Sequence, residues 1–426
     1  MIQTNPTTKK RPQPELNDHY DVVVIGGGPA GSSTAALVAE QGRSVLLLER
    51  SAVPRFHVGE SLIPETYWPL ERLGLLDKMR TSAFPKKFSV QFVSDGHKES
   101  APFYFDEHNP HESSVTWQVE RGVFDEMLID RAVELGAVCR TDAQVLDVVF
   151  NGEQASGVRV KTDDGTREIA CHVVVDASGQ SAFLASRLNL RVPDPRLKMA
   201  TIWSYYENAI RGEGKDEGAT IILQTAGKKS WFWYIPLPDN VVSIGCTGTL
   251  DYMFKEKLPA ADVYQRELER CPALQRRLEP ATRIADHFTT KDFSYTTRKA
   301  AGPGWVLVGD AGGFIDPVYS SGGFLALKSG WMAADAIKEA FVKNDFSDDT
   351  LGHWIPEYRA GVARFRKLVY AFYSTDFSFG KFLKSHPEFH GSVVDILIGN
   401  VFKPELDQMF ETMGPVIPCD AQNAAT

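Results

Sequence analysis

The pattern of hydrophobic and polar positions changes character at Tyr20. Residues 21–25 (Asp-Val-Val-Val-Ile) form a β-branched run ending in glycines, which predicts a strand of a parallel sheet buried on both faces. Residues 30–41 are small and helical, and Gly42 closes that helix. Ser44–Leu48 is a second apolar strand that ends at Glu49. Strand, glycine turn, helix and strand within about 30 residues make a βαβ unit. Further along, residues 87–93 alternate as a strand, and residues 122–135 carry Phe124, Leu128, Ala132 and Leu135 on one helical face. Strands are expected at 143–150, 157–162 and 168–176, and residues 200–249, rich in Thr, Val, Ile and Trp, predict an antiparallel sheet. Residues 305–309 make another buried strand, followed by a loop and a helix over 322–342. From 353 onward the pattern is helical and rich in aromatic residues. Residues 1–19 predict a disordered lead, and no internal repeat or low-complexity segment is present.

The turn after the first strand reads Gly26-Gly27-Gly28-Pro29-Ala30-Gly31, a G-x-G-x-x-G element between strand and helix. Gly26 permits a tight turn, Gly28 lets backbone approach a pyrophosphate, and Gly31 allows close helix–strand packing. The helix N-terminus offers N–H groups to phosphates. Glu49, at the end of the second strand, suits ribose hydroxyls. This unit alone leaves NAD and FAD both open.

Composition narrows the class. The 426 residues predict two or three structural units. Lys and Arg total 46 against 55 Asp and Glu, a net charge of −9 that argues against nucleic-acid binding. No stretch approaches the 18 or so apolar residues of a membrane span. The first twenty residues are polar, with no apolar h-region, so a cytoplasmic rather than secreted enzyme is expected. Cysteines 139, 171, 246, 271 and 419 are scattered without a CxxC, which excludes a disulfide scaffold and a cysteine zinc site. The cluster Asp106, Glu107, His108, His111 and Glu112 lacks metal-type spacing, so no metal is expected.

Two later segments choose between the dinucleotides. Val173–Gly179 is a strand running into a small-residue turn, and Gly309-Asp310-Ala-Gly-Gly313 is another. With Gln118 and Arg121, and over roughly residues 20–340, these resemble the FAD-dependent aromatic hydroxylases and their relatives. The resemblance implies an α/β fold. An aromatic-hydroxylase-type, Rossmann-like FAD domain (20–80, 110–190, 295–342) would hold an inserted antiparallel β-sheet substrate domain (81–109, 191–294) and end in a helical C-terminal region (343–426). It also implies flavin contacts at Gly26, Gly28, Ala30, Gly31, Glu49, Arg50, Arg55, Ser61, Gln118, Arg121, Asp310, Pro317, Gly322 and Gly323.

Within that superfamily, Trp231-Phe-Trp233-Tyr-Ile235-Pro236 matches W-x-W-x-I-P of the flavin-dependent halogenases, phenol and pyrrole branch. Trp231 and Trp233 share a strand face and Pro236 ends the strand; the resemblance makes all three a wall between flavin and substrate. Gly59-Glu60-Ser61-Leu62-Ile63-Pro64 resembles the segment under the flavin ring. The family also places a lysine in K-x-S-x-x-F, supplied by Lys87 rather than Lys86, because alternation puts Lys87 with Ser89 and Gln91 on the polar face. Ser321 and Gly322 match the amides that hold chloride or bromide. Two positions depart from the family. Tyr319 stands where tryptophan-specific members carry a glutamate, so free tryptophan is not the expected substrate. Gly323-Phe324 replaces a Val-His-type pair.

The resemblance therefore implies a two-component enzyme. A separate flavin reductase supplies FADH2, oxygen and halide give hypohalous acid, and Lys87 hands it to a small electron-rich aromatic, free or borne on an acyl- or peptidyl-carrier protein. A hydroxylase using NAD(P)H directly and an isoprenoid-type reductase are the rivals. Of the twelve aromatic residues between 353 and 410, most are expected to pack in a core. Arg364, Arg366, Lys367, Lys381 and Lys384 are expected on a solvated helix face, with docking of an acidic carrier as the lesser alternative.

Overall fold

A computed structural model describes residue 11, residues 13–374 and residues 377–414. The run Val22–Ile25 is continuous in hydrophobicity because both faces of its strand, His19–Ile25, are covered: Val22 and Val24 enter one core, Val23 and Ile25 another. That strand pairs in parallel with Val45–Leu48 on one side and Gly165–Asp176 on the other. The sheet extends in parallel to Val138–Arg140 at one end and Trp305–Leu307 at the other. Gln154–Thr162 and Gln144–Asn151 add antiparallel strands beyond the first half of Gly165–Asp176.

The helix Pro29–Glu40 follows the glycine turn with proline at its first position. It packs against the helices Arg121–Glu134 and Ser321–Lys343. Gly31 is what permits the turn to close: a Cβ there would lie 1.9 Å from the Gly26 carbonyl oxygen and 3.0 Å from the Ala177 Cβ.

The second sheet runs Thr282–Arg283, Met199–Glu207, Val241–Thr249, Ser230–Pro236, Thr220–Gln224, Ser89–Val93, Phe103–Tyr104, with Phe288–Lys291 also on Met199–Glu207. It is antiparallel as expected except for one pair. Ser89–Val93 lies parallel to Thr220–Gln224. The two strands belong to distant stretches of chain, so no hairpin constrains their direction. Trp231, Trp233 and Ile235 face the C-terminal helices, Ile355–Tyr373, Phe379–Ser385, His390–Ile398 and Leu406–Met413, while Phe232 and Tyr234 face the helices over 250–278.

Three expectations need correction here. The lead is not disordered throughout: Arg11 pairs with Glu126 and Asp130, Gln13 bonds Thr141, and the Pro14 and Asp18 carbonyls accept from Arg140 and the Ala170 amide. Residues 87–93 are not one strand; Lys86–Lys87 pairs with Thr116–Trp117 before Ser89–Val93 joins the large sheet. Arg364 is not on a solvated face. Its guanidinium is 8% exposed and forks onto Asp407 at 3.1 and 2.7 Å, with a third bond to the Val401 carbonyl. The helix Ile355–Tyr373 turns that side into the core because Leu406–Met413 packs over it. Cys139, Cys171, Cys246 and Cys271 are buried free thiols, and Cys419 lies outside the described residues. Among the described residues no helix is long and apolar enough to cross a membrane.

Gly31→Ala should unfold at lower denaturant than the parent even without cofactor. The overlap is with backbone, so relief requires moving the turn, at about 2 kcal/mol or more. An unchanged chemical-unfolding midpoint of the FAD-free protein would show that the turn relaxes freely.

Candidate functional site

A cavity of about 460 Å³ runs from the glycine turn to the second sheet. At its outer end lie Gly26, Gly28 and Ala30, the carboxylate of Glu49, and Arg50, Arg55 and Arg121. Glu49 is held by the protein itself: Oε2 accepts from the Gly27 amide at 2.9 Å and Arg55 at 3.2 Å, and Oε1 from the Ser51 amide at 3.0 Å. Asp125, 1% exposed, clamps both arginines, taking Arg55 at 3.1 Å and the Arg121 fork at 2.9 and 3.1 Å. In the sequence it reads as an i,i+4 helix-surface partner of Arg121. Only the tertiary approach of Arg55 shows that it orders two guanidiniums at once.

Asp310 lines the same cavity, and burial pushes its carboxyl up to about 6. A Cβ on Gly28 would meet nothing closer than Arg55 Nη2 at 3.8 Å. Open space over the helix N-terminus, flanked by two fixed guanidiniums, fits a diphosphate. With Glu49 and Asp310 placed for hydroxyls, the donor set fits a flavin dinucleotide.

The inner end is built differently. Three short segments lie side by side: Glu60–Leu62 bonds 117–119 through Leu62 N to Trp117 O at 3.1 Å and Val119 N to Glu60 O at 2.6 Å, and Thr116–Trp117 pairs with Lys86–Lys87. Lys86 is thereby exposed and Lys87 buried at 2% exposure. Lys87 Nζ donates to Ser61 Oγ at 2.9 Å and to the Leu62 carbonyl at 3.0 Å. Burial alone lowers its amine to about 7. The polar face expected for this lysine is thus an interior one. Glu60, the neighbour of Ser61, points the other way. It accepts from Tyr205 at 2.6 Å and from Ser243 at 3.2 Å, and burial raises its carboxyl above the usual range.

Of the expected wall, Trp233 borders the cavity and donates to Ser243 Oγ at 3.1 Å. Trp231 and Pro236 do not border it. Trp231 leans 6.2 Å from Trp233, centroid to centroid, and donates to Tyr373 Oη at 2.8 Å. Tyr373 in turn donates to Asp316 at 3.0 Å, and burial pushes Asp316 up to about 7. In the glycine loop, Pro317, Gly322 and Gly323 border the cavity, while Ser321 opens the helix Ser321–Lys343 and borders a second void of about 40 Å³.

Two more expected contacts lie off the cavity. Gly31 is consumed by packing on Gly26, and Gln118 donates to the Gly218 carbonyl at 2.9 Å and to Thr220 Oγ1 at 2.8 Å. Ser61 does border the cavity, yet its hydroxyl engages Lys87 and Thr220. Thr220 and Tyr373 had no motif to single them out, and Glu60, Asp125 and Asp316 stood inside quoted segments without a role of their own. Asp106 pairs with Lys215, and among the described residues no cluster could hold a metal ion.

Comparison with known proteins gives concordant results. The family model of the FAD binding domain matches residues 19–237. A 1H-pyrrole-2-carbonyl-[peptidyl-carrier protein] chlorinase of Pseudomonas fluorescens is 30% identical over 94% of both chains. The corresponding brominase of Pseudoalteromonas luteoviolacea is 34% identical over 77% of this chain and 79% of its own. The solved flavin-dependent brominase Bmp2 superposes with a TM-score of 0.84 at 30% identity, covering 93% of this chain and 98% of that one.

Two predictions follow from the geometry. Gly28→Val should fold normally, because its side chain meets open space, and should lose the rise in melting temperature that FAD gives the parent. An undiminished rise would refute the diphosphate placement. Lys87→Met should melt higher than the parent at pH 6. The folded state of the parent holds the Lys87 proton less tightly than the unfolded chain, so its stability rises with pH between about 7 and 10.5 and is least below that window. The advantage of the variant should therefore shrink toward pH 10; a constant difference across a pH series of melts would contradict the burial argument.

Proposed function

The chain belongs to the flavin-dependent halogenases, and from that premise we propose how its residues divide the reaction. Bound FADH2 supplies the electrons with which oxygen and a halide, chloride or bromide, yield hypohalous acid. Arg55 and Arg121, ordered by Asp125, and the amides at the start of Pro29–Glu40 hold the diphosphate. Glu49 and Asp310 take ribose and ribityl hydroxyls. The backbone amides of Ser321 and Gly322, at the start of a long helix, hold the halide. Trp233, with Trp231 packed beside it, keeps the aromatic substrate off the flavin, so oxygen reaches the ring only as hypohalous acid.

Lys87 then engages that acid. The observation that carries this reading is the amine itself: 2% exposed, bonded among the described residues to a hydroxyl and a carbonyl, and brought by burial to about 7. In its protonated form such an amine donates to the oxygen of hypohalous acid. In its neutral form its lone pair takes the halogen, forming N–X and releasing water. Both routes deliver an electrophilic halogen from a fixed point. A solvated lysine near 10.5 offers only the first.

The substrate in this proposal is an electron-rich ring of the pyrrole or phenol class. The two curated relatives act on a pyrrole carried by a peptidyl-carrier protein, which favours a carrier-borne substrate here. A separate flavin reductase provides the FADH2.

Purified protein with FAD, an unrelated flavin reductase, NADH and bromide or chloride should halogenate members of a pyrrole and phenol panel, free and carrier-loaded, as read by mass spectrometry. Omitting the reductase should stop turnover; rapid substrate-stimulated flavin reduction by NAD(P)H would favour a hydroxylase instead. Lys87→Ala should lose product by several orders of magnitude, and Lys87→Arg should not rescue it. Lys86→Ala, on the exposed side of the same strand, should halogenate normally.

A further inference from the structure

Lys87 does not border the cavity; Ser61 and Thr220 do. These two hydroxyls lie 3.0 Å apart, and each receives an N–H from behind. Lys87 Nζ donates to Ser61 Oγ at 2.9 Å, and Gln118 Nε2 donates to Thr220 Oγ1 at 2.8 Å. The Gln118 amide cannot be reversed, because its nitrogen also faces the Gly218 carbonyl at 2.9 Å, where an oxygen would meet an acceptor.

The hydrogen inventory then fixes what remains. A hydroxyl has one hydrogen, and the pair has two. One hydrogen spans the Ser61–Thr220 contact. The second has no protein acceptor recorded among the described residues, and both residues line the cavity, which leaves it the cavity side to point into. Ser61 and Thr220 are 6% and 2% exposed, so water does not compete freely for that hydrogen. Both are fixed by backbone pairing, Ser61 through its bridge to Gln118 and Thr220 through its register with Val90.

We propose that the Ser61–Thr220 hydroxyl pair is a proton relay that connects the Lys87 amine to the cavity. The proposal rests on the protonated branch of the Lys87 reading given above and sets two hydroxyls between the amine and the acid, because Ser61 and Thr220 border the cavity and Lys87 does not. When the halogen of hypohalous acid bonds to the ring carbon, its bond to oxygen breaks and the oxygen leaves as hydroxide. The relay delivers a proton from the Lys87 ammonium to that hydroxide, giving water. The ring then loses its own proton to restore aromaticity, and that proton returns through the hydroxyls to the neutral amine. The sum is ring–H plus hypohalous acid giving ring–halogen plus water, with Lys87 regenerated. Two hydroxyls in series pass a proton in either direction by rotating, so neither needs a shifted pKa of its own.

Two measurements test the relay. The first is the titration of Lys87 in FAD-free protein, followed by the ¹³Cε signal of labelled lysine and assigned with Lys87→Ala. Ser61 Oγ accepts from the ammonium, so Ser61→Ala should lower the midpoint by about half a unit or more, and Ser61→Thr should restore it. The second is turnover at saturating FAD, scored as halogenated substrate relative to hypohalous acid trapped by monochlorodimedone. Ser61→Ala and Thr220→Val should each reduce that ratio by about ten- to a hundredfold, the range of a lost proton transfer. Ser61→Thr and Thr220→Ser should recover most of it. An unmoved Lys87 midpoint, or a parental ratio in Ser61→Ala and Thr220→Val alongside an inactive Lys87→Ala, would overturn the relay while leaving the Lys87 reading intact. Normal halogenation by Lys87→Ala would overturn that reading itself.

Discussion

An amine taken out of water with no opposite charge beside it is the constraint around which the inner half of this protein is arranged. Most buried lysines are paired with a carboxylate, which restores the charged form at the cost of fixing two ions. Lys87 has a hydroxyl and a carbonyl instead, and burial alone accounts for the shift in its amine. The nearest candidate counter-ion is one residue from its partner. Glu60 precedes Ser61 in extended backbone, so the two side chains leave on opposite sides. Ser61 goes to Lys87, and Glu60 goes to Tyr205 and Ser243. A one-residue slip of that segment would place a carboxylate on the lysine and hold it protonated. The short bridges of 60–62 to 117–119, and of 116–117 to 86–87, are what prevent the slip.

How much of this could be read from the sequence follows from the range of each interaction. The βαβ unit was legible because its signals are local: an apolar run, a glycine turn, a helix of small residues. The two core faces of Val22–Ile25 are the direct consequence of that run. That Lys86 and Lys87 leave their strand on opposite sides was also legible from parity, but the burial of Lys87 was not. A strand of alternating Lys, Ser and Gln describes a half-exposed edge equally well, and only the chain arriving from residues 60–62 and 116–118 converts it into an interior site. Arg364 misled for the same reason in reverse. Its helix carries Arg366 and Lys367 nearby and reads as solvated, until Leu406–Met413 supplies Asp407 from 43 residues away. The i,i+4 spacing pairs Asp125 with Arg121, but its hold on Arg55, like the bond between Tyr373 and Asp316, comes from tertiary neighbours that no spacing marks.

The tryptophan signature shows how one fold is turned to a particular chemistry. Both indoles lie on the same strand face, as alternation requires, but only Trp233 meets the cavity. Trp231 is a brace. Its N–H reaches Tyr373 at the end of the helix Ile355–Tyr373, and Tyr373 reaches Asp316 in the loop that leads to Ser321 and Gly322. The chain Trp231–Tyr373–Asp316 therefore ties the wall, the C-terminal helices and the glycine loop into one hydrogen-bonded unit. Of the twelve C-terminal aromatic residues five are buried and the others pack partly buried against the same cores, so the expectation that most would be core is met only in part. Through Tyr373 they hold the brace behind Trp233, the residue proposed as the wall.

The distribution of charge along the cavity gives this arrangement a direction. At the outer end Arg55 and Arg121 are fixed cations, paired through Asp125 and aimed at the helix N-terminus. At the inner end the titratable groups are shifted toward their neutral forms: Lys87 downward, Glu60 and Asp316 upward, each chiefly by burial. The cavity therefore grades from fixed cations to groups drawn by burial toward their neutral forms. An anionic dinucleotide is drawn to the first part and gains nothing from the second. In the proposed reaction hypohalous acid, a small and largely neutral molecule near neutral pH, moves through the second part toward the Ser61–Thr220 pair. In that reaction, burial of these groups sets the inner end apart from the cationic end that takes the dinucleotide.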